Sequence, residues 1–201
     1  MFSGLIRSPR SLLDDVTVVL LISGSTRTAS TNTAALRTVA ATAPADIETR
    51  WYEGLSELPA FSPDDDGTAH PAVVALREQL SDADAVLLCT PEYAGTLPGS
   101  FKNLLDWTVG TAHLYEKPVT WINVAAPGRG EGTDATLHSV LGYVGADLLP
   151  NSPTKLTVLR DDVAPDGTVT APEFQKGALE ALTRLAQYAT DRKLDLGPSS
   201  K

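Results

Sequence analysis

One rhythm restricts the fold more than any other feature of this chain. Short apolar runs alternate with stretches of helical spacing from one end to the other. The first run, residues 16–22, reads Val-Thr-Val-Val-Leu-Leu-Ile and follows Asp14 and Asp15. A strand with one face in water alternates apolar and polar residues. A continuous β-branched run instead suits a strand buried on both faces of a parallel sheet. Residues 84–90 form a second run of this kind and residues 117–125 a third. Residues 46–54 alternate and read as a more exposed strand, and residues 155–161 read as a fifth.

Helical spacing fills the gaps. Residues 30–43 carry alanine and leucine at helical intervals until Pro44. Residues 71–83 begin with Pro71, a residue suited to a first helical turn. Residues 100–110 offer Ser100 as N-cap and Gly110 at the end. Residues 135–146 and 171–193 complete the set, the last with a core stripe of Leu179, Leu182, Leu185 and Ala189. The order is βαβαβαβαβα, which argues for a doubly wound parallel α/β sheet with helices on both faces. A chain of 201 residues suits one such domain. We take residues 15–201 as that domain and residues 1–14 as a loosely ordered extension. Right-handed crossovers bring the loops after strands one, three and four to the carboxyl edge, where such sheets bind ligands. Those three loops are also the ones of unusual composition.

Charge and residue usage remove several function classes. The net charge is −9, so the surface repels polyanions and nucleic acid is a poor partner. No apolar run approaches the roughly 20 residues of a membrane span. The N-terminus has no signal-peptide core. Cys89, the single cysteine, sits in an apolar run, so it reads as a buried strand residue without disulfide or metal pairing. His70, His113 and His138 fall in no metal-ligand spacing. These points favour the cytoplasm.

The first loop follows Gly24 as Ser-Thr-Arg-Thr-Ala-Ser-Thr-Asn. A nucleotide P-loop needs a second glycine and a lysine, and a dinucleotide fingerprint needs three glycines; neither is present. What stands there is a cluster of hydroxyls with Arg27 and Asn32 at a helix start. A helix N-terminus has unpaired N–H groups and a partial positive charge. Ser25, Ser30, Thr31 and Asn32 add directed donors, and Arg27 adds a guanidinium that forks onto phosphate oxygens. Capping by Ser30 or Thr31 explains one or two of these residues but not Arg27 or the density of hydroxyls. The set suits a terminal phosphate monoester.

The second loop reads Pro91-Glu92-Tyr93-Ala94-Gly95-Thr96. Pro91 stiffens the turn, Tyr93 offers an aromatic ring and Gly95 lets backbone N–H groups approach closely. The plain alternative is a turn leading into a helix, with Tyr93 filling space. The third loop holds Ala126, Pro127, Gly128, Arg129, Gly130 and Gly132, with glycines that permit close approach.

Together these stretches resemble the NADPH-dependent FMN reductase family, the flavodoxin-like quinone, flavin and azo reductases. The first loop resembles its G-S-x-R-x-x-S-x-N phosphate loop. Pro91, Glu92, Tyr93, Thr96, Pro98, Gly99, Lys102, Asn103, Asp106 and Trp107 resemble its second signature, and residues 58–66 its segment after strand two. The likeness covers roughly residues 16–146. Ala94 stands where the family has asparagine, Thr96 where it has serine, and Arg129 is new. Arg129 has two open readings: the extra phosphate of NADPH, or solvent.

The resemblance implies a flavodoxin-like five-stranded sheet in the order 2-1-3-4-5. It implies bound FMN, NADPH or NADH as co-substrate, and hydride passed by ping-pong turnover to a small electron acceptor. FMN would be held by Ser25, Arg27, Ser30, Thr31, Asn32, the segment Pro91, Glu92, Tyr93, Ala94, Gly95 and Thr96, and by Ala126, Pro127 and Gly128. No side chain is required as a catalyst, since the cofactor carries the chemistry. Glu92 reads as a residue that holds the loop or a neighbouring subunit. Asp64, Asp65 and Asp66 read as a solvated loop. Phe101, Leu104, Leu105 and Trp107 spread over more than one helix face, which suggests partial burial against another subunit, with burial against the chain's own sheet accounting for part of the arc. The resemblance implies a homodimer or homotetramer. Two other readings stay open: a flavodoxin-type FMN electron carrier with little NAD(P)H activity, and a phosphate-ligand module without flavin.

Overall fold

The computed structural model describes residues 16–196. The expected extension, residues 1–14, lies outside the described residues. Strand β1 (Thr17–Ser23) is central, with β2 (Ile47–Tyr52) on one side and β3 (Ala85–Cys89) on the other, both parallel to it. Strand β4 (Pro118–Asn123) pairs parallel with β3. The order 2-1-3-4-5 is that of a flavodoxin-like sheet.

The helices are α1 (Thr31–Ala41), α2 (Pro71–Asp82), α3 (Gly99–Val109), α4 (Glu131–Tyr143) and α5 (Pro172–Leu196). They cover both faces, and β1 shows how. Val18, Leu20 and Ile22 enter one core with Leu76 and Leu80 of α2, Leu104 of α3 and Leu137 of α4. Val19 and Leu21 enter the other with Leu36 and Val39 of α1 and Leu182 and Leu185 of α5. Side chains alternate across the sheet while both faces stay apolar, so no polar position interrupts the run.

The far edge differs from expectation. No regular strand spans residues 155–161. Two short strands, β5 (Asp147–Leu148) and β6 (Thr154–Lys155), each pair parallel with β4, giving six strands among the described residues. Pro150 and Pro153 stand between them and have no N–H to give a ladder. Beyond β6 the chain still runs beside β4: the N–H of Leu156 donates to the Asn123 carbonyl (2.9 Å) and that of Val158 to the Val124 carbonyl (3.1 Å). This hidden pairing produced the strand-like pattern.

Three helix details also change. Ser100 is not the N-cap of α3; Pro98 holds that position without a side-chain cap. Helix α4 starts at Glu131, so part of the third loop is helical. On α5, Leu182, Leu185 and Ala189 are buried but Leu179 faces solvent.

Candidate functional site

The loops after β1, β3 and β4 meet at the carboxyl edge. Gly24 makes this possible for the first two. Its N–H donates to the Cys89 carbonyl at 2.9 Å, and a Cβ at Gly24 would overlap the side chain of Thr90. The lone glycine therefore serves strand packing, while the loop beyond it carries the donors.

Ser30 is the N-cap of α1, accepting from the N–H groups of Asn32 (3.2 Å) and Thr33 (3.4 Å). Ser25 folds the loop upon itself: its N–H donates to Ser23 Oγ and its hydroxyl accepts from the Arg27 N–H, each at 3.3 Å. Thr26, Arg27, Thr28 and Ala29 are exposed. The ion pairs and side-chain hydrogen bonds of the described arginines belong to Arg50, Arg77, Arg184 and Arg192, which leaves the Arg27 guanidinium without a partner among the described residues. An unpaired cation, free hydroxyls and helix-terminal N–H groups together fit a phosphate dianion.

Asn32 is buried and faces Cys89, whose thiol donates to its Oδ1 at 3.3 Å. Burial pushes the Cys89 thiol well above its ordinary pKa, so it remains a donor. With Oδ1 taken, the amide NH₂ is what Asn32 offers to the cleft it lines.

In the second loop, Tyr93 and Thr96 close a two-residue turn. The Tyr93 N–H donates to the Thr96 carbonyl (2.9 Å) and the Thr96 N–H to the Tyr93 carbonyl (3.1 Å). Ala94 (φ +51°) and Gly95 (φ +78°) both sit in the left-handed region, the pattern of a type I′ turn. Asparagine tolerates that conformation better than alanine, which explains in physical terms what the departure at Ala94 alters.

This turn is tied to α4. Glu92 Oε2 accepts from the Thr133 N–H (3.1 Å), in the first turn of α4, and so complements that helix end. Thr133 Oγ1 donates to the Thr96 carbonyl (3.2 Å), and the hydroxyls of Thr96 and Thr136 share a hydrogen bond of 2.8 Å. Glu92 holds the loop within its own chain. Gly132 permits a close approach within the chain. A Cβ there would stand 2.8 Å from the Gly95 carbonyl carbon and closer still to its oxygen. It is the seat of the 93–96 turn.

The third loop is shaped by Asn123, the one polar residue at the end of β4. Its Oδ1 accepts from the Ala125 N–H (2.9 Å) and its Nδ2 donates to Asp134 (2.8 Å) and to the Gly130 carbonyl (3.3 Å). Gly130 is left-handed (φ +84°), and a Cβ there would strike that amide. Sequence reading missed Asn123; a polar residue in an apolar run was the available signal.

Thr31, Asn32, Pro91, Glu92, Ala126 and Arg129 line one cleft of about 310 Å³. Ser25, Arg27 and Ser30 line two cavities beside it. Tyr93, Ala94, Gly95, Thr96, Pro127 and Gly128 are exposed around the rim and line none of these cavities. The rest of the second signature does something else. Asn103 Nδ2 and Trp107 Nε1 both donate to the Pro59 carbonyl (2.8 and 2.9 Å), and Asn103 Oδ1 accepts from the Phe61 N–H (2.8 Å). Lys102 pairs with Asp106 at 2.6 Å along the helix. These residues pin the loop after β2 onto α3. That loop buries the outer side of α3, so Phe101, Leu104, Leu105 and Trp107 are all covered by their own chain. The wide apolar arc needs no second subunit.

A parallel sheet in this order, with the loops after β1, β3 and β4 meeting at its carboxyl edge, defines a flavodoxin-like protein. The sequence model for NADPH-dependent FMN reductases matches residues 17–154, and the chain belongs to this family of oxidoreductases, whose cofactors are FMN and a reduced nicotinamide. It is 30% identical over 171 residues to a quinone reductase of Escherichia coli K12, covering 82% of this chain and 89% of the relative. It is 26% identical over 182 residues to a 2-hydroxy-1,4-benzoquinone reductase of a Burkholderia species, covering 88% and 98%. Among solved structures it superposes on FerB, a flavoenzyme NAD(P)H:acceptor oxidoreductase of Paracoccus denitrificans. There the TM-score is 0.77 and the identity 25%, over 88% of this chain and 98% of that one. No described helix is long and apolar enough to cross a membrane, and no described cluster of His, Cys, Asp or Glu has the makings of a metal site.

Proposed function

We propose that this chain is an FMN-dependent NAD(P)H oxidoreductase that reduces a small acceptor, with quinones as the leading class, by ping-pong turnover. One observation carries the reading: free donors at the α1 N-terminus adjoin a cleft walled by the other two carboxyl-edge loops. The phosphate falls to Ser25, Arg27, Ser30, Thr31 and the amide of Asn32. The ring falls to the segment from Pro91 to Thr96, with Ala126, Pro127 and Gly128 at its polar end. Bound FMN supplies the two-electron chemistry that links nicotinamide to acceptor. The residues bind and orient it. The 93–96 turn, clamped by Glu92 and Thr133, is closed by the N–H groups of Tyr93 and Thr96 and leaves those of Ala94 and Gly95 for the ring. Quinone as acceptor is supported by the names of the relatives in Escherichia coli and Burkholderia.

A homodimer belongs to the proposal, supported now by exposed Val109, Tyr115 and Tyr143 rather than by the buried face of α3. Cytoplasmic residence belongs to it as well, since reduced nicotinamide is the co-substrate. The test is direct. FMN is titrated into the protein, and NADPH and NADH oxidation is followed with a quinone, free FMN and an azo compound. Parallel double-reciprocal lines are expected. A protein that takes up FMN but oxidises neither nicotinamide above background contradicts the enzyme reading and restores the electron carrier.

A further inference from the structure

A second cavity joins the α1 N-terminus to a part of the chain beyond the matched residues 17–154. There residues 163–169 fold back as a small hairpin. The Ala164 N–H donates to the Thr168 carbonyl at 2.8 Å, and Val163 pairs with Val169 as an antiparallel bridge. The Val169 N–H donates to Thr38 Oγ1 at 2.7 Å, which fastens the hairpin to α1. At its tip, Gly167 (φ +82°) lies so close to Arg37 that a Cβ there would overlap the guanidinium.

Between this hairpin and the loop after β1 lies a cavity of about 420 Å³. Arg27, Arg37 and Arg160 line it from three separate segments. None of the three has an ion pair or a guanidinium hydrogen bond among the described residues; those belong to Arg50, Arg77, Arg184 and Arg192. Asp166 is the only acid in the lining, and its Oδ1 already accepts from the N–H (2.9 Å) and hydroxyl (2.7 Å) of Thr168. The chain has 16 Lys and Arg against 25 Asp and Glu, so acids to pair them were plentiful. Three like charges on one cavity repel unless a multivalent anion joins them. A guanidinium fork matches phosphate geometry, and a phosphomonoester brings close to two charges.

We propose that Arg37 and Arg160, sharing Arg27 with the flavin loop, form a second phosphate site. Its ligand is a phosphomonoester dianion, either the 2′-phosphate of NADPH or free phosphate. The inference rests on the flavin reading, because Ser30 and Thr31, given to FMN's own phosphate, line the same cavity; the second site is the part of it lined by Arg37 and Arg160.

The test is calorimetric titration of the FMN-loaded full chain with 2′-AMP, adenosine and inorganic phosphate at low ionic strength. It is run on wild type, Arg160→Ala and Arg160→Lys, and repeated without flavin. Arg160 is exposed, so both variants keep the fold. Charge-assisted hydrogen bonds make 2′-AMP bind about tenfold to a hundredfold more tightly than adenosine. Arg160→Ala removes that difference, Arg160→Lys keeps part of it, and FMN affinity stays within about twofold in both. Inorganic phosphate binding as tightly as 2′-AMP assigns the site to free phosphate; weaker binding assigns it to the nucleotide. Equal affinity for 2′-AMP and adenosine in wild type, with no phosphate binding, overturns the site. So does a loss of FMN affinity in Arg160→Ala, which returns that guanidinium to the flavin phosphate. A protein that takes no FMN yet binds 2′-AMP through Arg160 fails the flavin reading and keeps this one.

Discussion

Substituting Gly132→Ala tests whether the 93–96 turn carries the flavin ring. The new Cβ would stand 2.8 Å from the Gly95 carbonyl carbon and 3.2 Å from Glu92 Oε2, where 3.4 Å is the start of ordinary contact. The obstacle is backbone, so no rotamer change relieves it. Overpacking of this kind costs about 1–3 kcal/mol. The turn relieves it by retreating from α4, which stretches the Thr133 N–H···Glu92 bond of 3.1 Å. A hydrogen bond to a charged group contributes about 1.5–3 kcal/mol, so its loss adds to the cost. These costs fall on stability; affinity falls through the contact the displaced turn loses to the ring, and one hydrogen bond's worth, about 1.4 kcal/mol, lowers flavin affinity about tenfold. The α1 loop is untouched, and FMN and riboflavin therefore weaken by the same factor. Flavin-fluorescence titration of both ligands measures this, with thermal melts to verify the fold. Unchanged affinity in a folded variant, or weakening confined to FMN, would refute the reasoning.

Three further outcomes follow from particular contacts. Ala94→Gly removes a left-handed alanine (φ +51°) and stabilises the protein by about 1 kcal/mol, seen as a higher Tm; a lower Tm contradicts the turn assignment. Asn103→Ala breaks the bonds to Pro59 and Phe61 and costs about 1–3 kcal/mol by denaturant melts, with Trp107 fluorescence moving to the red as the loop lifts. Asp65 is held below the ordinary carboxylate range by the Gly67 N–H first and the His70 ring second. A depressed folded pKa gives stability present above the unfolded value of about 3.9 and lost as pH falls through the folded one. The loop over Trp107 should thus loosen below about pH 4 in wild type, and Asp65→Asn should flatten that dependence.

The legible parts of the fold were those where one physical demand dominates. Strands β1, β3 and β4 are buried on both faces, so their runs are apolar without alternation. The edge at β5 and β6 was misplaced because its hydrogen bonds run through Leu156 and Val158 outside any regular strand, and prolines divide the rest. The arc on α3 was real, but a pattern names apolar faces and not what covers them; the cover is the Pro59–Phe61 loop. At the candidate site, composition drew attention to all three loops. It did not show that Gly132 seats the turn, or that Glu92 caps α4, because both depend on residues some 40 positions apart. Arg37 and Arg160 carry no local signal at all, since only the hairpin on α1 brings them to one cavity.

The central claim is that the loop after β1 binds the terminal phosphate of FMN. The ratio of FMN to riboflavin affinity, in wild type and in Arg27→Ala, tests it most directly. The account predicts that wild type prefers FMN and that Arg27→Ala weakens FMN by about tenfold or more while riboflavin is unchanged. Equal weakening of both ligands, or a wild type that binds them alike, would contradict it.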